Sequence, residues 1–266
     1  MTVTAFERQS RLKEAVRNGS PVLGLFVKIP AIQVIESLSV AGLDFVVLDA
    51  EHAAFGCSEL DHCILAGRSV GLPVLVRVRE PTSAAILQVL DMGAAGVVVP
   101  HITSARQAEA IVAATRYKGG TRGFSGMHRA AGYGAIAADE FKAASDASTL
   151  VIAQIEDAAG LDRIDEISAV SDIDALLIGS ADLTVSLGAS RPDDPIVTKA
   201  IETIFVAAKK AGMRSGIFLP TAEKMPAYQQ KGASFFVIST DQGLLVEAAS
   251  EISQQFRTQS EASNGG

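Results

Sequence analysis

Four apolar residues, Phe45-Val46-Val47-Leu48, run straight into Asp49, Ala50, Glu51 and His52. A strand buried on both faces of a parallel sheet reads as such a run, because helices cover each face. Where strands alternate with helices, the polar residues just past a strand's carboxyl end are where ligands bind. The pattern recurs in Val74-Leu75-Val76-Arg77, in Val97-Val98-Val99-Pro100-His101, in Leu150-Val151-Ile152-Ala153-Gln154-Ile155-Glu156, and in Ala175-Leu176-Leu177-Ile178-Gly179-Ser180-Ala181-Asp182. Strands that deliver charged or catalytic-type residues to one rim make a metal-assisted active site the leading expectation.

Taken in order, the chain predicts eight strands with helices between them. Thr4–Asn18 has helical spacing and stops at Gly19. Strands are expected at Val22–Val27, Phe45–Leu48, Val74–Val78, Gly96–Val99, Leu150–Ile155, Ala175–Ile178, Ser215–Leu219 and Phe235–Ser239. Ser58 and Ser104 read as N-caps of the helices after the second and fourth strands. One continuous helix is expected over Asp157–Val170, another over Thr221–Gln230, and the last over Gln242–Phe256. Residues 1–259 read as one domain, and Ser260 to Gly266 as a disordered tail.

This count fits a single (β/α)8 barrel preceded by an N-terminal helix, with its site at the carboxyl ends of the strands. An open, doubly wound sheet would need a glycine-rich phosphate fingerprint after its first strand, where Lys28-Ile29-Pro30 stands instead. The net charge of −7 and the lack of any basic block argue against a nucleic-acid partner. No apolar stretch reaches the roughly 18 residues of a membrane span, and no secretory signal is visible. Two cysteines, Cys57 and Cys63, make a disulfide framework improbable, and a cytoplasmic location is expected.

Glu156 and Asp182 end the fifth and sixth strands and are neighbours on the rim. Two carboxylates without cysteine ligands suit Mg²⁺, Mn²⁺ or Co²⁺. Equally, each carboxylate simply favours the start of the helix that follows it. His52, beside Asp49 and Glu51, suits a general acid or base; a histidine bound to a backbone carbonyl is the commoner case. Arg77 at a buried strand end needs a negative partner, either a substrate carboxylate or a barrel carboxylate such as Glu51. His101 reads as a substrate contact or, more commonly, a packing residue. The segment Tyr117–Gly134 is too long for a mere spacer, and its Arg122-Gly123 turn either offers an anion site or belongs to a flexible lid.

Together these strand ends resemble the HpcH/HpaI aldolase/citrate lyase family. The resemblance rests on Leu23-Gly24-Leu25-Phe26, Leu48-Asp49-Ala50-Glu51-His52, Pro73-Val74 with Arg77, Leu90-Asp91-Met92-Gly93-Ala94 and Val99-Pro100. It continues through Ala114-Thr115-Arg116-Tyr117, Arg122-Gly123, Gln154-Ile155-Glu156, Gly179-Ser180-Ala181-Asp182-Leu183 and Gly212, and spans roughly residues 20–256 in order. It implies a (β/α)8 barrel whose last helix is exchanged between paired subunits of a hexamer, a trimer of dimers. It also implies reversible cleavage of a 4-hydroxy-2-keto acid, such as a 2-keto-3-deoxy sugar acid or a 4-hydroxy-2-oxo diacid, to pyruvate and an aldehyde.

By the same resemblance, Glu156 and Asp182 match the metal-binding carboxylates and Gln154 a residue near the metal. Arg77 matches the arginine that holds the keto acid and stabilises its enolate, and His52 matches the acid/base histidine. Asp49 and Asp91 stand where carboxylates tune or orient that histidine. Ser180, Ala181 and Asp182 join Arg77 and Gln154 at the substrate. The chain departs from the family pattern at Lys28-Ile29-Pro30, at His101 and at Gly126-Met127-His128-Arg129, which leaves the aldehyde half open. Lys28 is the one weak candidate for the Schiff-base lysine of a class I aldolase. A malyl- or citryl-type acyl-CoA lyase and a catalytically silent keto-acid-binding barrel are the competing readings.

Overall fold

The computed structural model describes residues 2–264 and contains the expected barrel. Eight parallel strands close on themselves in sequence order. They are β1 (Val22–Val27), β2 (Phe45–Asp49), β3 (Val74–Arg77), β4 (Gly96–Val99), β5 (Leu150–Ile155), β6 (Ala175–Ile178), β7 (Ser215–Leu219) and β8 (Ala233–Thr240). Helices fill each crossover, as a parallel strand pair requires. No helix among the described residues is long and apolar enough to cross a membrane.

Strand alternation divides each apolar run between two cores. Val46, Leu48, Val74, Val76, Val151 and Ala153 face the surrounding helices. Phe45, Val47, Leu75, Val98, Leu150, Ile152, Leu177, Phe235 and Val237 fill the barrel, closed at the amino end by Leu12 and Val16 of the N-terminal helix Thr2–Asn18. Gly24 makes room for the largest of these side chains, since a Cβ there would sit 2.2 Å from the Phe45 ring. Two residues further along, the inward positions become polar. Phe45, Val47 and Asp49 share one face of β2, and Asp49 lies in register with Arg77 of β3. The lumen is therefore oil at the bottom and charge at the top.

Several helix boundaries differ from expectation. Gly56, not Ser58, occupies the N-cap of Cys57–Val70, and its carbonyl accepts the first helical bond, from Leu60 N–H. The Asp157–Val170 segment is two short helices, Ala158–Asp162 and Ile164–Ser168, broken at Arg163. The break lets Gly160 lie against the Ile102 carbonyl while Ile164 and Ile167 are buried. Past β7, a 3-10 turn at Ala222–Lys224 precedes Met225–Gln230, because Pro226 has no N–H to continue a longer helix. A short helix not foreseen in the sequence, Ser180–Ser186, starts directly at the β6 end. The last helix runs over Asp241–Asn264, past Phe256, its Ser260 hydroxyl bonding back to the Phe256 carbonyl. It occupies much of the tail expected to be disordered; residues 265–266 lie outside the described residues. Ser104 does cap its helix, accepting from Gln107 N–H.

Candidate active site

The carboxyl rim has two halves. On the β1–β3 side, Asp49 is fully buried and forms a two-point pair with Arg77, with Nε at 3.0 Å and Nη2 at 2.8 Å. Lys28 Nζ lies 3.2 Å from the same carboxylate, and the His52 backbone N–H donates to it at 3.1 Å. Burial alone would raise the Asp49 pKa, but the Arg77 hydrogen bonds and charge, the His52 N–H and Lys28 together hold it below the ordinary carboxylate range. Arg77 is in turn fixed in plane by the Phe26 ring, 4.5 Å from its guanidinium carbon. Asp49 thus orients His52 through the backbone, while its charge is committed to Arg77 and Lys28.

The β4–β5 half is acidic. Glu156 is 1% exposed and has no lysine or arginine partner among the described residues. It accepts the His101 backbone N–H at 3.0 Å and the Gln154 side-chain amide. Burial pushes its pKa above the ordinary value, against these hydrogen bonds. Gly179 stands opposite because a Cβ there would be 2.5 Å from Glu156 Oε2. Of the buried oxygens here, Glu51 Oε2 and Gln154 Oε1 accept no hydrogen bond. Asp182 lies half-exposed in the first turn of Ser180–Ser186.

Glu51 joins the halves. Its carboxylate lies 3.3 Å from Arg77 Nε, 3.6 Å from His52 Nε2 and 3.1 Å from His101 Nε2. His52 Nε2 is also 4.0 Å from Asp182 Oδ2, so the expected histidine does face the expected carboxylate. His101 is no packing residue: its side chain is 50% exposed and contacts Glu51, Glu156 and Asp157. Burial opposes its charge, yet Asp157, Glu156 and Glu51 together raise its pKa. Donor atoms of Glu51, His101 and Glu156 lie within 4.8 Å of one another, a spacing that one metal ion can span. Arg79, on the far side of β3, holds the loop that carries Glu51 and His52 by donating to the Ala50 and Phe55 carbonyls.

Beside these groups is a cavity of about 140 Å³, bounded by Lys28, His52, Arg77, Gln154, Ser180, Ala181 and Asp182 and walled by Phe26 and Phe218. A three-carbon keto acid is of that order of size, and the aromatic walls limit water. Lys28, paired with Asp49, supports that carboxylate and does not stand free as an amine.

Two expected contributors lie elsewhere. Asp91 ends the helix Ser83–Met92, which has run back toward the amino end of β4. There Asp91 accepts from Arg122 at 3.0 Å and lies 3.5 Å from His128 Nε2. Arg122 is buried on that carboxylate and the Ser145 hydroxyl, stacked over Tyr117, so it offers no free guanidinium to an anion. The long loop is pinned by this cluster, by the Arg129–Asp61 pair and by packing of Phe124 and His128 on Phe141. Both cysteines are free, and burial pushes the Cys63 thiol up to about 11.

Sequence comparison and structural comparison agree on the family and the fold. The family model described as HpcH/HpaI aldolase/citrate lyase matches residues 22–248. A 2-dehydro-3,6-dideoxy-6-sulfogluconate aldolase of Pseudomonas putida is 32% identical over 239 residues, covering 89% of this chain and 93% of the relative. A 5-keto-4-deoxy-D-glucarate aldolase of Klebsiella pneumoniae is 34% identical over 224 residues, with 84% and 87% covered. The crystal structure of an HpcH/HpaI aldolase/citrate lyase family protein from Burkholderia cenocepacia superposes with a TM-score of 0.88 at 30% identity, covering 93% of this chain and 99% of that one. The chain belongs to the HpcH/HpaI aldolase/citrate lyase family and is a lyase of the aldolase type.

Proposed function

We propose that the chain is a divalent-metal-dependent aldolase that reversibly cleaves a 4-hydroxy-2-keto acid to pyruvate and an aldehyde. The observation that carries this reading is Glu156: a carboxylate buried at the site, with no lysine or arginine partner among the described residues, next to two buried oxygens that accept no hydrogen bond. Such a group calls for a cation. Glu156 and Asp182 would hold the ion, which supplies Lewis acidity to the keto oxygen when bound. Mg²⁺, Mn²⁺ and Co²⁺ all fit an oxygen-rich donor set.

The protein's own groups divide the remaining work. Cleaving the bond between C3 and C4 leaves the electron pair on the pyruvate fragment, and Arg77 at the cavity edge meets that negative charge. Asp49 and Phe26 keep its guanidinium in place. His52, whose Nε2 lies between Glu51 and Asp182, takes the proton from the 4-hydroxyl as the aldehyde forms and returns it in condensation. Gln154, Ser180 and Ala181 line the pyruvate end. The named relatives act on deoxy keto acids of sugars, and a substrate of that class, as sugar acid or diacid, is proposed here.

The C-terminal helix exposes Leu244, Leu245, Val246, Ile252 and Phe256 along its length. An apolar face of that extent supports its exchange with a second copy in a hexamer. In such an assembly Asp91, remote from its own His52, would serve that of another subunit. The two free cysteines fit a cytoplasmic setting.

Deuterium exchange into the methyl group of pyruvate, after chelation and again with Mn²⁺ or Mg²⁺ restored, tests the chemistry without the natural aldehyde. Exchange that requires added metal is the expected outcome. Equal exchange in the chelated enzyme would remove the metal from the reaction. Pyruvate binding without exchange would favour the silent barrel.

A further inference from the structure

His101 stands just past the carboxyl end of β4, and its surroundings are those of a ligand. Its backbone is in the left-handed region, φ 56°, a strained conformation for a residue other than glycine or asparagine. That conformation turns the backbone N–H onto Glu156 and the imidazole across the rim between Asp157 and Glu51. Nδ1 lies 3.0 Å from Asp157 Oδ2, which can only accept, so both ring nitrogens face carboxylates, and an ion bound at Nε2 would take the place of the proton there. Nε2 lies 3.1 Å from Glu51 Oε1. Donor atoms of Glu51, His101 and Glu156 all lie within 4.8 Å of one another. A carboxylate on one ring nitrogen, with the other nitrogen turned toward the ion, is the arrangement that orients metal-bound imidazoles. The second Glu51 oxygen, on a side chain 10% exposed, accepts no hydrogen bond, though Arg77 and His52 flank it.

We propose that His101 Nε2 and Glu51, with Glu156, are ligands of the divalent ion, and that Asp157 is the carboxylate that orients His101. This rests on the reading that an ion binds at Glu156, and it adds a nitrogen donor to an otherwise all-oxygen set. Imidazole shifts preference away from Mg²⁺ toward Co²⁺ and Zn²⁺. The site therefore selects a borderline ion.

The test uses the full-length, metal-free protein and the ions alone, without substrate. Mn²⁺ is added and read by pulsed electron paramagnetic resonance for coupling to a ligated ¹⁴N. Co²⁺, Zn²⁺ and Mg²⁺ affinities are measured by calorimetry. His101→Asn keeps the left-handed backbone, which asparagine tolerates, and removes the imidazole. The unaltered protein should show the nitrogen coupling, His52→Asn should retain it and His101→Asn should lose it. Co²⁺ and Zn²⁺ affinity should fall about 10–100-fold in His101→Asn, with Mg²⁺ changed far less, and Asp157→Asn should give a smaller fall of the same kind. Nitrogen coupling that survives in His101→Asn, or tight Mn²⁺ binding with no coupling in the unaltered protein, would overturn the proposal and leave the ion at Glu156 standing. If the unaltered protein binds none of the ions, the metal reading itself fails and this assignment with it.

Discussion

The two halves of the rim bury charge in opposite ways. On the β1–β3 side one buried carboxylate meets two cations and an N–H, and its protons and lone pairs are spent inside the protein. On the β4–β5 side Glu156 and Asp157 share the imidazole of His101 with Glu51, which reaches across from Arg77 and His52. The first half is complete as it stands; the second is short of positive charge. A buried pair that is fully satisfied contributes rigidity, whereas a surplus of one sign costs stability until a ligand arrives. The difference separates the scaffold of the site from its binding face, although both are built of the same residue types.

The comparison breaks most visibly at Arg77 and Glu156. Arg77→Ala leaves Asp49 buried against Lys28 alone, and should cost about 3–5 kcal/mol of stability by urea unfolding, besides abolishing methyl exchange. Glu156→Gln keeps the shape and the His101 N–H acceptor but removes a charge that no lysine or arginine offsets among the described residues. It should abolish metal-dependent exchange while leaving the ion-free protein as stable as before or more so. Equal destabilisation by both changes would mean that the halves are not different in kind.

His52 sits between the halves and belongs to the reaction. His52→Ala should lower cleavage by about 10²–10⁴-fold, the usual worth of a positioned acid or base, with a much smaller effect on pyruvate affinity. Cleavage at the original rate would take the histidine out of the mechanism and return its role to water.

Acid and base should act oppositely on the two halves of the ion-free protein. Asp49 has a folded pKa below its ordinary value of 3.8, so its contribution is present above that value and lost as pH falls through the folded pKa. Glu156 has a folded pKa above its ordinary value of 4.5, so the folded state holds its proton more tightly. Stability then declines as pH rises from 4.5 through the raised value and levels off beyond it. Urea midpoints from pH 4 to 6, below the ordinary value of 6.5 above which the raised pKa of His101 adds a decline of its own, should show this decline in the unaltered protein and lose it in Glu156→Gln. A decline that persists in the variant would assign it to another group.

How much of this was legible depended on whether the signal was local. A short apolar run bounded by turn residues or charges is local, so Gly96–Val99, Leu150–Ile155, Ala175–Ile178 and Ser215–Leu219 match the structure residue for residue. Inward placement of Asp49, Arg77 and Gln154 follows from the same period of two. Pairing across strands is not local. Glu51 read as a neighbour of His52 and a possible partner for Arg77, and His101 as a substrate contact or, more commonly, packing, because nothing in the sequence announces a left-handed histidine between two acidic strand ends. Asp91 is not brought to His52 within one chain, because the helix Ser83–Met92 carries it to the other end of the barrel, a direction that the motif alone does not state. Gly56 displaced Ser58 as a cap for a related reason: the first helical carbonyl is set by how the chain leaves the Glu51 loop, not by the side chain that could cap it.

The smallest expected effect concerns Lys28, and it sharpens the division of the rim. Its ammonium is the second cation on Asp49, partly exposed, with Arg77 already holding both carboxylate oxygens. Lys28→Met should therefore cost only about 1 kcal/mol. Its effect on methyl exchange should be slight, because the guanidinium that faces the developing charge is untouched. Pyruvate treated with borohydride should leave no covalent adduct on either protein. A trapped adduct on the unaltered chain, lost together with exchange in Lys28→Met, would show that the amine attacks the keto carbon. In that case the β1–β3 half would be the reacting face, and the acidic half would have to find its cation for some other purpose.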